Sequence, residues 1–173
     1  LSITGNIFTA NDVATYFRWI VIKPHGPGHF LQGLSVTGNT FKALNGPIGR
    51  VEAVDGSIAG LDMGRARLIA FHSNTFNGVD QETINPATLE FTQADPAQTW
   101  TLDPGAYLPF DGWTRTVAAL SPEGELTTAG AQVLREWPAV TPQDGPGRDR
   151  VRLGFSVPVR GTVQMTVRMD KPF

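Results

Sequence analysis

Three segments of this chain align without gaps: Leu1-Ser-Ile-Thr-Gly-Asn-Ile-Phe8, Leu34-Ser-Val-Thr-Gly-Asn-Thr-Phe41 and Ile69-Ala-Phe-His-Ser-Asn-Thr-Phe76. Their asparagines, Asn6, Asn39 and Asn74, are spaced by 33 and then 35 residues. A period in the range of roughly 20–50 residues is the mark of a repeat architecture, in which each copy buries its apolar face against its neighbours. Few folds satisfy that constraint.

Inside each segment the apolar residues alternate: Leu1 and Ile3, Leu34 and Val36, Ile69 and Phe71. That is the period of a strand with one buried face. Gly-Asn or Ser-Asn then supplies residues tolerant of left-handed backbone, which bends the chain. Phe8, Phe41 and Phe76 return to the inward face beyond the bend. Helical repeats of similar length need a 3.6-residue period that is absent here, and three propeller blades would not close a ring. Stacked parallel strands remain. Further strand candidates are Tyr16 to Ile22, Val51 to Val54, and Leu68 leading into the third segment. The loops Lys23 to His29 and Asp55 to Gly60 should project outward. The chain starts at Leu1 already within a repeat, which predicts that it is a fragment with more rungs upstream.

The composition agrees with a turn-rich all-β protein: charged residues are 17%, with 19 glycines and 13 prolines. A net charge of −2 and the lack of any basic run argue against nucleic-acid binding. Without cysteine, disulfides, thiolate nucleophiles and Cys-based zinc sites are excluded. No apolar stretch approaches the roughly 18 residues of a membrane span, so no membrane insertion is expected. Arginine outnumbers lysine, which occurs only at Lys23, Lys42 and Lys171, a bias associated with GC-rich bacterial genomes.

The Gly-Asn-Ile-Phe, Gly-Asn-Thr-Phe and Ser-Asn-Thr-Phe turns resemble those of right-handed parallel β-helix proteins of the pectate-lyase-like superfamily, which includes polysaccharide lyases, glycoside hydrolases and phage tailspikes. The resemblance covers about the first 80 residues. It implies that residues 1–79 are the last rungs of such a coil. It also implies that Asn6, Asn39 and Asn74 stack as a structural ladder, satisfying one another's amides beside Phe8, Phe41 and Phe76.

From Asp80 the repeat stops. Residues 80–98 read as a connector with one strand, Thr88 to Thr92. Residues 99–173 read as an antiparallel C-terminal module resembling a small β-sandwich, with a role in capping, assembly or glycan binding. Its strand candidates are Thr99 to Leu102, Thr114 to Leu120 and Glu125 to Thr128, while Gln132 to Trp137 fits a helical turn or a strand. Alternation from Val151 to Val159 and from Val163 to Met169, broken at Arg160-Gly161, predicts an amphipathic hairpin.

Superfamily hydrolases use two carboxylates roughly 5–10 Å apart as acid and base or nucleophile. Asp55 and Asp62 flank a glycine-rich loop and are catalytic candidates by that logic. His72, in the outward slot of Thr4 and Thr37, is a third. For each, a solvated surface residue is the commoner outcome. His25 and His29 have a zinc-like spacing, but Pro and Gly preclude the helix that would align them and no third ligand is evident, so no metal site is assigned. Calcium would enter only if the protein were a lyase. Trp19, Tyr107 and Trp113 are carbohydrate-binding candidates, with Trp100 and Trp137 beside them, because an aromatic face packs on a sugar ring.

The resulting expectation is a non-catalytic C-terminal piece of a homotrimeric spike or fibre from a phage or phage-like particle. It would be displayed on the particle surface or outside the cell, of bacterial or phage origin, and engage surface polysaccharide. The alternative is the C-terminal end of a secreted polysaccharide lyase or glycoside hydrolase whose active site lies upstream.

Overall fold

A computed structural model of the chain describes residues 1–171. Its strands are β1 (Ser2–Thr4), β2 (Ile7–Asn11), β3 (Ile20–Ile22), β4 (Ser35–Thr37), β5 (Thr40–Leu44), β6 (Glu52–Val54), β7 (Ala70–His72), β8 (Thr75–Asn77), β9 (Ala87–Leu102), β10 (Thr116–Pro122), β11 (Thr127–Thr128), β12 (Ala139–Asp144) and β13 (Arg150–Arg168). Three short 3₁₀ turns interrupt an otherwise all-β chain.

The repeats build three small parallel sheets, ordered β1-β4-β7, β2-β5-β8 and β3-β6. Each pairing joins equivalent positions of successive repeats: Ile3 to Val36 to Phe71, and Phe8 to Phe41 to Phe76. The bend after the first strand of each repeat is the same in all three, with left-handed residues at Gly5 (φ 70°), Gly38 (φ 65°) and Ser73 (φ 56°). Beyond the bend the phenylalanines stack face to face, with Phe41 centred 5.0 Å from Phe8 and 5.8 Å from Phe76. Of the stretch Tyr16 to Ile22, only its last three residues form a strand; Trp19 instead turns its ring against Phe41.

The second half of the chain is one five-stranded antiparallel sheet with β13 in the middle, rather than two facing sheets. β9 runs along one edge of β13, and β10, β11 and β12 share the other. The expected hairpin is absent: Val151 to Met169 does not reverse at Gly161, and β13 is a single strand of 19 residues. Likewise Thr88 to Thr92 and Thr99 to Leu102 are two ends of one 16-residue strand, β9, which crosses the expected connector boundary. Gly161 (φ 144°) marks a close approach and not a turn, since a Cβ there would lie 2.7 Å from Leu126 Cδ2.

Such long strands tolerate their prolines by bulging. Between the pairs Gly154 with Thr99 and Val159 with Ala97, β13 carries extra residues including Pro158. Between Val159 with Ala97 and Gly161 with Gln93, the excess lies on β9 and includes Pro96. Proline has no N–H to donate, so it belongs where the ladder is interrupted. Gln132 to Trp137 is neither helix nor strand and meets the sheet through an isolated bridge, Thr127 to Val133.

Sheet and repeats share one core, in which Val36, Phe41, Ile69 and Phe71 join Phe110, Leu153, Met165 and Val167. The sheet also closes the open edge of the third repeat. Asn85 exchanges two backbone bonds with Phe71 (2.8 and 2.9 Å), Leu68 N–H donates to the Lys171 carbonyl, and Ile69 N–H donates to Asp170 Oδ2 at 2.9 Å. An uncovered edge would be a template for association with another chain; here Asn85, Asp170 and Lys171 supply the missing partners.

Candidate functional site

The carboxylate candidates Asp55 and Asp62 lie on a loop that is clasped to the loop Lys23 to His29 of the preceding repeat. Lys23 Nζ donates to Asp55 Oδ2 at 2.8 Å, and Asp55 Oδ1 accepts from Ser57 N–H at 3.0 Å. These bonds, Lys23 foremost, hold the Asp55 carboxyl well below the usual carboxylate range. Asp62 caps the 3₁₀ turn Met63–Arg65 by accepting from Gly64 N–H at 2.9 Å. Its own N–H donates to His29 Nε2 at 2.8 Å, while His29 Nδ1 lies 2.8 Å from the Gly26 carbonyl. A backbone N–H can only donate, so His29 Nε2 is the acceptor and Nδ1 carries the proton in the neutral ring. Each of these groups is therefore engaged in holding a loop. His25 is exposed, and His72 is exposed on β7 with only a 3.3 Å contact to Ser73 Oγ.

Two carboxylates that sequence reasoning did not single out are the buried ones. Glu52 on β6 accepts from Arg50 Nε (2.8 Å), Thr83 Oγ1 (3.0 Å) and Phe110 N–H (3.1 Å). Arg50 in turn reaches the carbonyls of Ala106 and Leu108. Asp170 accepts from Ile69, Asn85 and Arg168. Buried charges need this degree of pairing, and both groups tie the repeats to the sheet. Asn6, Asn39 and Asn74 form a ladder in which Asn39 Oδ1 accepts from the backbone and side-chain amides of Asn6, and Asn74 Oδ1 accepts from those of Asn39.

Three of the aromatic candidates are occupied by packing. Trp19 lies against Phe41 and Phe17. Tyr107 is half-buried against the shared core. Trp113 is half-buried with the Arg148 guanidinium 4.5 Å above its ring. Trp100 is fully inside, its indole N–H bonded to the Val159 carbonyl at 3.1 Å.

Trp137 differs from these, with 60% of its surface exposed. It ends a segment outside the regular strands that is pinned by Leu134 N–H to the Leu126 carbonyl (2.7 Å) and Thr128 N–H to the Gln132 carbonyl (2.9 Å). One cleft of about 320 Å³ lies between this segment and Pro122 to Leu126. A second, of about 490 Å³, lies between the same segment and Ser156 and Val157. Arg135, Glu136 and Gln132 supply donors and acceptors there, and Glu136 accepts from Ser156 Oγ. An exposed indole beside planar polar groups is suited to the apolar face and hydroxyl rim of a sugar ring. The signal for Trp137 in the sequence is its setting, Arg135-Glu136-Trp137-Pro138, where no alternation places the ring inside a strand.

Among the described residues no cluster of three or more His, Asp or Glu side chains could hold a metal ion. Among them, too, no helix is long and apolar enough to cross a membrane. No protein-family model, curated protein or solved structure matches this chain.

Proposed function

We propose that residues 1–79 are the last rungs of a right-handed parallel β-helix, and that the protein is the C-terminal part of a trimeric spike or fibre of a phage or phage-like particle. In this reading it attaches to cell-surface polysaccharide and carries no catalytic centre of its own. The observation that carries the proposal is the in-register parallel stacking of three repeats, with one asparagine and one phenylalanine per rung in line. In such a stack each rung contacts only its neighbours and extends the same line, which suits a protein that reaches toward a surface. The attachment role draws on Trp137 and the cleft that it lines with Leu134, Arg135 and Glu136.

Assembly draws support from outward apolar residues on the repeats, where Ile7, Tyr16, Val21 and Leu44 are all exposed. Large apolar side chains left in water are the kind of surface that association covers. The test has two parts. Light scattering during size-exclusion chromatography should return three times the chain mass. A panel of bacterial surface polysaccharides should include at least one that binds the chain and loses it with Trp137→Ala. A monomer that binds none of the panel would overturn the proposal.

A further inference from the structure

The third repeat carries a concentration of positive charge unusual for a chain of net charge −2. Arg65, Arg67 and Arg115 converge on the turn Met63–Arg65 and the residues just after it. Arg67 Nη1 donates to the carbonyls of Gly64 and Ala66, and Arg115 Nη1 to those of Met63 and Ala66. Lys171 N–H reaches the same Ala66 carbonyl. These bonds are to neutral carbonyls, and none of the three arginines forms an ion pair among the described residues. Burial, and after it the neighbouring charge of Arg67, pushes the Arg115 guanidinium below its ordinary value, against the opposing pull of Asp170 and Asp62.

Beside this cluster is a hollow of about 280 Å³ lined by Phe30, Gln32, Arg65 and Arg67. Phe30 is 65% exposed, so an apolar ring stands in water next to two guanidinium groups, those of Arg65 and Arg67, that form no ion pair among the described residues. The backbone holds the site in place: Arg67 N–H donates to the Leu31 carbonyl and Gly33 N–H to the Arg67 carbonyl, fixing the Phe30 side of the hollow against the arginines.

We infer that the Phe30–Gln32–Arg65–Arg67 hollow binds an acidic sugar residue, one ring bearing an anionic substituent, within a polysaccharide. Each part of such a ligand has its counterpart: the ring face meets Phe30, a hydroxyl meets the Gln32 amide, and the anion meets the free N–H groups of Arg65 and Arg67. Guanidinium forks recognise carboxylate, sulfate or phosphate oxygens bidentately. A nucleic acid is disfavoured because strong binding needs several phosphate contacts along a basic stripe, and this hollow has room for about one ring. The inference rests on the polysaccharide-binding reading but uses a different surface from Trp137.

The test is affinity electrophoresis of the whole chain through gels containing a uronate polymer, a sulfated polysaccharide, neutral dextran or duplex DNA. Retardation by at least one acidic polysaccharide, and by neither dextran nor DNA, is expected. Phe30→Ala and Arg65→Glu should each weaken that retardation roughly tenfold, the loss expected for one aromatic face and for one charge-assisted contact respectively. Both residues are exposed, so their replacement leaves the fold intact, and Arg67 is left alone because it holds the turn. Trp137→Ala should keep the acidic retardation, which separates this site from the one proposed above. Equal retardation by DNA, no retardation by either acidic polymer, or retardation that survives both substitutions would overturn the inference.

Discussion

Asn85 Nδ2 donates to Asp170 Oδ1 at 3.0 Å, across 85 residues of sequence. Both side chains are fully buried. Together they complete the hydrogen bonding of the last repeat: Asn85 Nδ2 also reaches the Ile69 carbonyl, and Asn85 Oδ1 accepts from Met169 N–H. Arg168 supplies the counter-charge to Asp170 through two bonds of 3.1 Å. The repeat stack therefore ends in a polar network, all of whose members find partners.

Removing Asp170 should be severe. Asp170→Ala strands the Ile69 N–H and the Arg168 charge in the interior, and breaking a buried pair in this way costs about 3–5 kcal/mol. Asp170→Asn should not rescue it, because one of its two faces would turn a donor toward Asn85 Nδ2 or Ile69 N–H. Urea unfolding midpoints measure both. A loss under about 1 kcal/mol, the worth of an ordinary exposed pair, would show that the network does not hold the end of the stack.

The asparagine ladder should be graded by burial. Asn39 is 1% exposed and also donates to the Ile3 carbonyl at 2.8 Å, whereas Asn6 is exposed. Asn39→Ala takes the side-chain donor from the Ile3 carbonyl and Asn74 Oδ1, at about 1–3 kcal/mol for each part-buried group left unpaired. Asn6→Ala exposes its partners to water and should cost less than about 1 kcal/mol. Equal losses in thermal or urea unfolding would contradict this ranking.

The three equivalent bends give a backbone test with opposite signs. Ser73 occupies the left-handed position that Gly5 and Gly38 fill in the other repeats, at a cost of roughly 1–2 kcal/mol for a residue with a Cβ. Ser73→Gly should raise stability by about 0.5–1 kcal/mol once the greater freedom of glycine in the unfolded chain is subtracted. Gly38→Ala should lower it by about 1 kcal/mol, and by conformation alone, since nothing lies within 4 Å of the added Cβ. Calorimetric midpoints that move the other way would refute the argument.

The Lys23–Asp55 clasp sets a pH dependence. The folded-state pKa of Asp55 is depressed, so its contribution is fully present above the unfolded carboxylate value of about 3.9. It is lost only as pH falls through the lower folded value. The pair is well exposed and contributes little to global stability. The readout is therefore local: the Asp55 carboxyl carbon should titrate by NMR below the ordinary carboxylate range, and Lys23→Ala should return it to that range. Titration of Asp55 at the unfolded carboxylate value in the intact protein would disprove the clasp.

The stacking of Asn6, Asn39 and Asn74, and of Phe8, Phe41 and Phe76, is legible in the sequence because each residue recurs at one position of one repeat. Neighbouring copies of a repeat meet in register, so local pattern and long-range contact carry the same information. The second half of the chain lacks that redundancy. Alternation on both sides of Arg160-Gly161 looks the same whether the chain reverses there or continues, and only the partners on either edge of β13 make it one strand. Asp170 and Asn85 read as ordinary polar residues until the end of the stack presents its unpaired backbone to them. Burial sorts the tryptophans in the same way. Trp100 lies inside and Trp137 outside because the sheet covers one and leaves the segment carrying the other uncovered, a property of surfaces that no single stretch of sequence contains.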